Sequence, residues 1–372
     1  MKPFIPYSTQ QINNADREAV LNALNQTLIT RGQNTVKFEE DLCAVTGAAY
    51  AVAVNSATAA LHAIMAYLAQ DSEIEVFMSP LTFVATANSV LYTGGKVRFV
   101  DVDPNTLNID ISALEKALFT RNARARTVVV AVDYAGNPCD YEQLDRLRRS
   151  YGFTLVSDAA HSLGSFYQGV TPNYFADYTA LSFHPVKSIT TGEGGAVLCT
   201  RQYEAEWFRR FRSGGVQRNG ELGKYDVIQL GYNYNMSDIQ AALGVSQLAR
   251  LTTFIYKRDQ IAQQYYFKLL NAPLLLPGTT VGAKSSWHLF PVRINDFERR
   301  DAVLKKLNDQ SIGANVHYIP IYEFSLYKKL GITGDCPNAD KAYKSLISLP
   351  IHPAMNTESV NRVVDALRDA LK

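Results

Sequence analysis

The stretch from Tyr50 to Leu68, YAVAVNSATAALHAIMAYL, decides the fold. Its first five residues are an apolar run, Asn55-Ser56-Ala57-Thr58 are small or polar, and Ala59 to Leu68 follows a helical pattern. A short apolar run that passes through one polar turn into a helix is the repeating unit of a sheet covered on both faces. The alternation extends over residues 15–200. Further apolar runs occur at Val76 to Met78, Val97 to Val100, Thr127 to Val132, Thr154 to Val156 and Tyr178 to Ser182, with helical patterns between them. The fold class is therefore α/β, with a large domain built on a mostly parallel central sheet. Ligands of such sheets bind beyond the carboxyl ends of the strands. Polar residues follow directly on these runs: Asn55 to Thr58, Asp133-Tyr134, Asp158, and Ser182-Phe183-His184. One pocket is expected to collect them.

The chain of 372 residues is long enough for two cores. Ser213 to Asn235 is rich in Gly and polar residues and reads as a long loop, a length that usually marks function or an intersubunit contact. Ser237 then caps a helix reaching Leu251. The domain change is placed near 250, with a large domain over 1–250, N-terminal segment included, and a small α+β domain over 251–372. The latter holds a strand-like Leu289 to Ile294, a helix over Asp301 to Leu307, a short run at Asn315 to Tyr318 and a terminal helix from Glu358.

With 47% hydrophobic and 19% charged residues, the composition is that of a folded globular chain. A net charge of +2, with basic residues scattered apart from clusters such as Arg121, Arg124 and Arg126, gives no nucleic-acid footprint. No apolar stretch has the length of a signal peptide or membrane span, so a cytoplasmic protein is expected. Cys43, Cys139, Cys199 and Cys336 lie far apart without a C-x-x-C pair, which fits buried thiols better than disulfides or a metal site.

Carbanion chemistry on a pyridoxal cofactor needs a lysine to form the imine, an acid to keep the pyridinium nitrogen charged, and a phosphate cradle. Lys187 follows a strand and precedes the small-residue run Thr191-Gly192-Glu193-Gly194-Gly195, which lets backbone approach a ligand closely. Taken alone it reads as a solvated surface lysine. Asp158 emerges at the same sheet edge, where it can pair with a protonated ring nitrogen or simply cap a helix. His161 could reach the cofactor hydroxyl, stack on its ring, or be a satisfied buried histidine. Ser56, Ala57 and Thr58 offer amides and hydroxyls at a helix N-terminus, a phosphate site by geometry and dipole, or plain N-capping. Ser182 is a further phosphate donor. Phe83 offers an aromatic face for a pyridine ring, or a core contact.

The order Asn55-Ser56-Ala57-Thr58-Ala59-Ala60-Leu61, Pro80-Leu81-Thr82-Phe83-Val84-Ala85-Thr86-Ala87-Asn88, Ser157-Asp158-Ala159-Ala160-His161, Ser182-Phe183-His184-Pro185-Val186-Lys187, Thr191 to Gly195 and Gly231-Tyr232-Asn233-Tyr234 resembles the DegT/StrS-type sugar-nucleotide aminotransferases nearly end to end. Val132 to Gly136, Ile189-Thr190-Thr191 and Val316 to Tyr322 carry a closer likeness to the family's pseudaminic-acid branch. The resemblance implies a fold-type-I homodimer with shared active sites, dependent on pyridoxal 5'-phosphate with pyridoxamine 5'-phosphate as the intermediate form. It implies Lys187 as Schiff-base lysine, Asp158 as pyridinium partner and His161 beside the cofactor oxygen. Ser56, Ala57, Thr58 and Ser182 would hold the phosphate, joined by Asn233 of the other subunit, with Phe83 on the ring. Tyr7, Glu193, Asn235, His317 and Tyr318 are substrate-side candidates.

The expected reaction moves an amino group from an amino acid, L-glutamate, to C4 of a UDP-4-keto-6-deoxy-N-acetylhexosamine. Rivals are a C4 aminotransferase for a GDP-perosamine or UDP-bacillosamine precursor, a pyridoxamine-dependent dehydratase, against which Lys187 counts, and a regulatory protein on the same fold. The family often has Arg where this chain has Asn235, and close relatives have His where Gly214 stands. Both departures bear on the sugar and nucleotide, not on the cofactor chemistry.

Overall fold

The computed structural model describes residues 3–218, 220 and 223–372. Its centre is a sheet of seven strands: β1 (Tyr50–Val54), β2 (Ile74–Met78), β3 (Lys96–Phe99), β4 (Arg126–Val132), β5 (Thr154–Asp158), β6 (Tyr178–Ser182) and β7 (Gly195–Cys199). Their order is β1-β7-β6-β5-β4-β2-β3. All neighbours are parallel except β7, which runs antiparallel to both β1 and β6.

Six of these strands are the apolar runs read from the sequence. The seventh, β7, is an addition, because its first residue belongs to the glycine run read as an approach loop. Its reversed direction matters. Gly195 pairs with Val54 and with Ser182, so the start of β7 lies beside the ends of β1 and β6.

Alternate residues of the central strands enter different cores, as the two-residue period of a strand dictates. Val76, Met78, Val128 and Val130 pack with the helix Ala57–Leu68 on one face. Phe77, Val129, Ala131 and Leu155 pack on the other against the helices Ile111–Phe119 and Tyr141–Tyr151. Each such valine, leucine, methionine or phenylalanine side chain, fully withdrawn from water, contributes about 1.5–3 kcal/mol. The helix Ala57–Leu68 begins where Ser56, in extended backbone, accepts a hydrogen bond from the Ala59 amide.

A second core surrounds a three-stranded antiparallel sheet in which Phe290–Ile294 lies between Leu274–Leu275 and Leu346–Leu349. The helices Arg300–Asp309 and Thr357–Leu371 cover it, and Ile5 from the N-terminal segment joins them. The run Asn315 to Tyr318 is not a strand; one bridge, Asn315 to Ser348, is all its backbone pairing to the sheet.

The helix Leu251–Leu269 runs between the two cores. Leu251, Phe254 and Ile255 pack with Leu163, Leu181 and Phe183 of the large sheet's surroundings, whereas Ile261, Ala262, Tyr265 and Leu269 belong to the second core. It follows the helix Asp238–Leu248, whose N-cap Ser237 and Gln240 form a reciprocal capping box. The Ser213 to Asn235 loop holds one short ribbon, Val216–Gln217 against Asp226–Val227. Cys139, Cys199 and Cys336 are buried free thiols, and Cys43 is free but only half-buried. Among the described residues no helix is long and apolar enough to cross a membrane.

Candidate active site

β5 ends at Asp158, β6 at Ser182 and β1 at Val54, and all three ends lie on one edge of the sheet. Asp158 is 4% exposed. Its Oδ2 accepts a hydrogen bond from the Thr86 hydroxyl at 2.7 Å and its Oδ1 one from the Ala160 amide at 3.2 Å. Among the described residues it forms no ion pair. Burial pushes its pKa up, opposed by those two donors and by the charge of Lys187.

Chain leaving β6 turns sharply at His184–Lys187, where the Lys187 amide donates to the His184 carbonyl at 2.9 Å. The loop is fastened at its base, since the Thr191 amide donates to the Phe183 carbonyl and the Phe183 amide to the Gly194 carbonyl. Lys187 projects from this turn with its Nζ 3.5 Å from Nε2 of His288. Burial lowers its pKa to about 8, Arg258 pushes the same way and Asp158 opposes. About a tenth of the amine is therefore unprotonated near neutral pH, far more than for a free lysine, and that is the form that attacks a carbonyl.

Three imidazoles gather around it. The rings of His161 and His288 lie 4.2 Å apart, and Nε2 of His161 is 3.0 Å from the Tyr318 hydroxyl. Nδ1 of His317 meets the Ser348 hydroxyl at 3.0 Å, and the His317 ring lies 5.2 Å from that of Tyr7. Burial, followed by the charge on Lys187, holds His161 and His288 well below the usual histidine range and brings His317 to about 4. All three are neutral at physiological pH.

At the neighbouring corner, the backbone of Ser56 and Ala57 opens the helix Ala57–Leu68. A Cβ on Gly195 would lie 2.5 Å from the Ser56 carbonyl and 2.6 Å from the Ala57 nitrogen, so only glycine lets β7 run this close to the helix start. The Asn55 side chain reaches the Asn233 carbonyl at 3.4 Å, and its amide donates to the Tyr234 carbonyl at 2.9 Å.

Tyr7, Asp158, His161, Lys187, His317 and Tyr318 are thus brought together, with Ser56, Ala57, Thr58 and Ser182 along the same sheet edge. Phe83 enters on the segment that carries Thr86, with 59% of its surface exposed, and is not a core residue. Asn233 and Asn235 pair with each other by their side chains, 3.1 Å apart, and Asn235 also accepts from Ser213. Glu193 has an exposed side chain and uses its carbonyl to accept from Thr191 and Gln240.

The expected convergence of all the strand-end polar residues is corrected at two points. Asp133 and Tyr134 turn into the core. The Asp133 carboxylate accepts from the Cys139 amide, the Tyr141 hydroxyl and the Ser162 hydroxyl behind the sheet edge, while the Tyr134 hydroxyl donates to the His317 carbonyl. His184 is exposed at the apex of its turn. Sequence reasoning gives no role to Thr86, Arg258 or His288. Only Thr86 carries a signal, as a hydroxyl one helical turn beyond Thr82, whose own hydroxyl it meets at 2.9 Å.

These residues fit pyridoxal phosphate. A buried carboxylate that forms no ion pair among the described residues suits a protonated ring nitrogen, and an exposed aromatic face suits the ring. His161 offers a buried Nδ1 with no partner among the described residues. The open amides at a helix N-terminus suit the phosphate.

Comparison with known proteins agrees with this chemistry. The profile of the DegT/DnrJ/EryC1/StrS aminotransferase family matches residues 10–368. The UDP-4-amino-4,6-dideoxy-N-acetyl-beta-L-altrosamine transaminase of Campylobacter jejuni (strain 81-176) is 38% identical over 379 residues, covering 99% of this chain and 98% of the relative. Among solved structures, PseC of Helicobacter pylori, an aminotransferase involved in pseudaminic acid biosynthesis, superposes with a TM-score of 0.93 at 34% identity over 99% of both chains. The PLP form of a putative sugar aminotransferase from Streptococcus pneumoniae gives 0.91 at 29% identity, over 99% of this chain and 98% of that one. The chain belongs to the DegT/DnrJ/EryC1/StrS aminotransferase family and is an aminotransferase that works with pyridoxal phosphate.

Proposed function

We propose that the protein transfers an amino group from L-glutamate to C4 of a UDP-linked 4-keto-6-deoxy-N-acetylhexosamine, in the cytoplasm, on the way to a pseudaminic-acid-type sugar. Near-full-length similarity to a transaminase named for that amino sugar supports the substrate. The observation that carries the chemistry is the lysine amine, lowered to about 8 in its pKa, on the same sheet edge as a buried carboxylate that forms no ion pair among the described residues.

Bound pyridoxal phosphate supplies a conjugated ring that delocalises the electrons left when a proton leaves the carbon bearing nitrogen. Lys187 would hold the cofactor through its amine and, once freed by the incoming amino acid, would move that proton as base and acid. Asp158, fixed by Thr86, holds a proton on the ring nitrogen, because a cation there offsets the cost of burying the carboxylate. His161, with its unpartnered buried Nδ1, would take the cofactor oxygen, and the exposed Phe83 ring would pack on the cofactor ring. Ser56, Ala57, Thr58 and Ser182 bind the phosphate at the positive end of the helix Ala57–Leu68. Tyr7, Glu193, Asn235, His317 and Tyr318 serve the substrate side.

The working form is a homodimer in which a second copy brings Asn233 to the phosphate. Exposed apolar side chains around this region, among them Tyr225, Val227, Ile228, Leu230 and Tyr232, support such an interface. The proposed cofactor-binding domain runs to about residue 250 and the smaller one over 251–372, except that Ile5 packs in the smaller domain's core and Leu251, Phe254 and Ile255 against the larger.

The test follows the visible absorption of the purified enzyme. Bleaching by L-glutamate and recovery on adding the UDP-keto-sugar are expected. Bleaching that a GDP-keto-sugar reverses and the UDP-sugar does not would discard the acceptor while keeping the aminotransferase.

A further inference from the structure

Arg258 is a buried cation beside the candidate site. It lies on the helix Leu251–Leu269, between the residues that enter the first core and those that enter the second, and it is fully buried. Among the described residues it forms no ion pair, although a buried charge is ordinarily matched by an opposite one. Its Nη1 donates to the carbonyls of Ile351 at 2.8 Å, Trp287 at 3.2 Å and His288 at 3.4 Å. Its Nη2 reaches the Val186 carbonyl and the Ser8 hydroxyl, each at 3.4 Å, and that hydroxyl itself donates to Val186 at 3.0 Å. Two of the five residues so held, Val186 and His288, are the chain neighbour of Lys187 and the residue whose ring meets its amine.

We propose that Arg258 is a positioning residue for Lys187, its guanidinium gathering the Val186 and His288 carbonyls so that the lysine amine is held against the His288 ring. A fork of donors spans several acceptors at fixed angles, which an ammonium cannot reproduce. The unmatched charge has a second effect. Lys187 faces Asp158 at the end of β5, His161 just beyond it, His288 ahead of the second sheet, His317 on the segment following Ala314, and Arg258. The histidines are neutral, so Asp158 and Arg258 are the charged groups that act on the amine, in opposite directions. Arg258 thereby offsets the aspartate and keeps the amine available as a nucleophile.

The inference rests on Lys187 being the reacting amine. Its test reads that amine directly in cofactor-stripped, otherwise intact protein, by competitive acetylation at a series of pH values with Lys187 quantified by mass spectrometry. The wild-type midpoint should lie near 8. In Arg258→Gln, which keeps donors and loses the charge, it should rise by about one unit, so that acetylation at neutral pH falls about tenfold. Arg258→Lys keeps the charge and should move the midpoint less. It should, however, speed hydrogen exchange in residues 184–191 and 286–289 at least about tenfold over the rest of the protein, having lost the fork.

Arg258→Lys is the milder change and decides the matter should Arg258→Gln not fold. A midpoint unmoved in folded Arg258→Gln, or exchange in Arg258→Lys that is unchanged or raised uniformly, overturns the proposal. Such a failure leaves covalent cofactor attachment at Lys187 intact. Failure of the lysine assignment itself would instead appear as cofactor trapped elsewhere after borohydride reduction.

Discussion

The Thr86 hydroxyl donates to Oδ2 of Asp158 at 2.7 Å and is the shortest contact that carboxylate makes. The Ala160 amide holds the other oxygen more loosely, at 3.2 Å. Thr86 thus sets the rotation of the carboxylate and stabilises its charged form. Thr86→Val, nearly isosteric, removes a charge-assisted hydrogen bond of about 1.5–3 kcal/mol. kcat/KM for the glutamate half-reaction is expected to fall about 10- to 100-fold with folding retained. An unchanged kcat/KM would separate Thr86 from the acid's function.

Lys187→Ala is expected to abolish turnover, because no other described lysine shares the edge with Asp158. The check is mass spectrometry after borohydride reduction of the loaded enzyme, where the wild type should carry a cofactor adduct on the peptide containing residue 187 and the variant none. A variant with near-normal transamination would remove Lys187 from the mechanism.

Gly195→Ala places a methyl group 2.5 Å from the Ser56 carbonyl, which is backbone and has no room to move aside. Either β7 or the start of the helix Ala57–Leu68 must shift. Cofactor affinity, measured by fluorescence titration, should weaken about tenfold or more, and stability should drop by about 1–3 kcal/mol as in other overpacked sites. Affinity equal to that of wild type would mean that the cradle lies elsewhere.

Asp133 gives a stability prediction. Burial raises its pKa from 3.8 to about 6 despite three hydrogen bonds. The native state therefore holds the proton more tightly than the unfolded chain does. The stabilisation is fully present below about pH 4 and is lost as pH rises through 6, a swing of about 3 kcal/mol. Asp133→Asn does not titrate. The stability of the variant minus that of wild type, from urea unfolding, should grow in the variant's favour by up to about that amount between pH 4 and 7. A difference that does not vary with pH would refute the assignment.

How far the sequence reaches is clear from particular residues. Lys187 and Asp158 are legible at the sheet edge because Asp158 ends β5 and Lys187 follows β6 within a few positions, but their chemical roles come from the family resemblance, since Lys187 alone reads as a solvated surface lysine. β7 is not legible, since a glycine run that reads as a loop is also what lets a reversed strand slip between β1 and β6. Asp133 has the same strand-end position as Asp158 but faces inward, toward donors from Cys139, Tyr141 and Ser162 that no local pattern announces. Arg258 was hidden for a related reason. Between Lys257 and Asp259 it reads as part of a solvated helix face, and its burial comes from segments 29 to 250 residues away in the chain.

One 19-residue helix, Leu251–Leu269, contributes side chains to both hydrophobic cores. Melting either core therefore strips the other of part of its own wall, and the chain should unfold in a single cooperative transition. A nucleophilic amine is a hazard in a half-made protein, where it would meet every aldehyde in the cell. Here the burial that lowers the amine's pKa to about 8 is built by segments from both sides of the shared helix, so a chain with either side open should lose that shift and much of its reactivity at neutral pH.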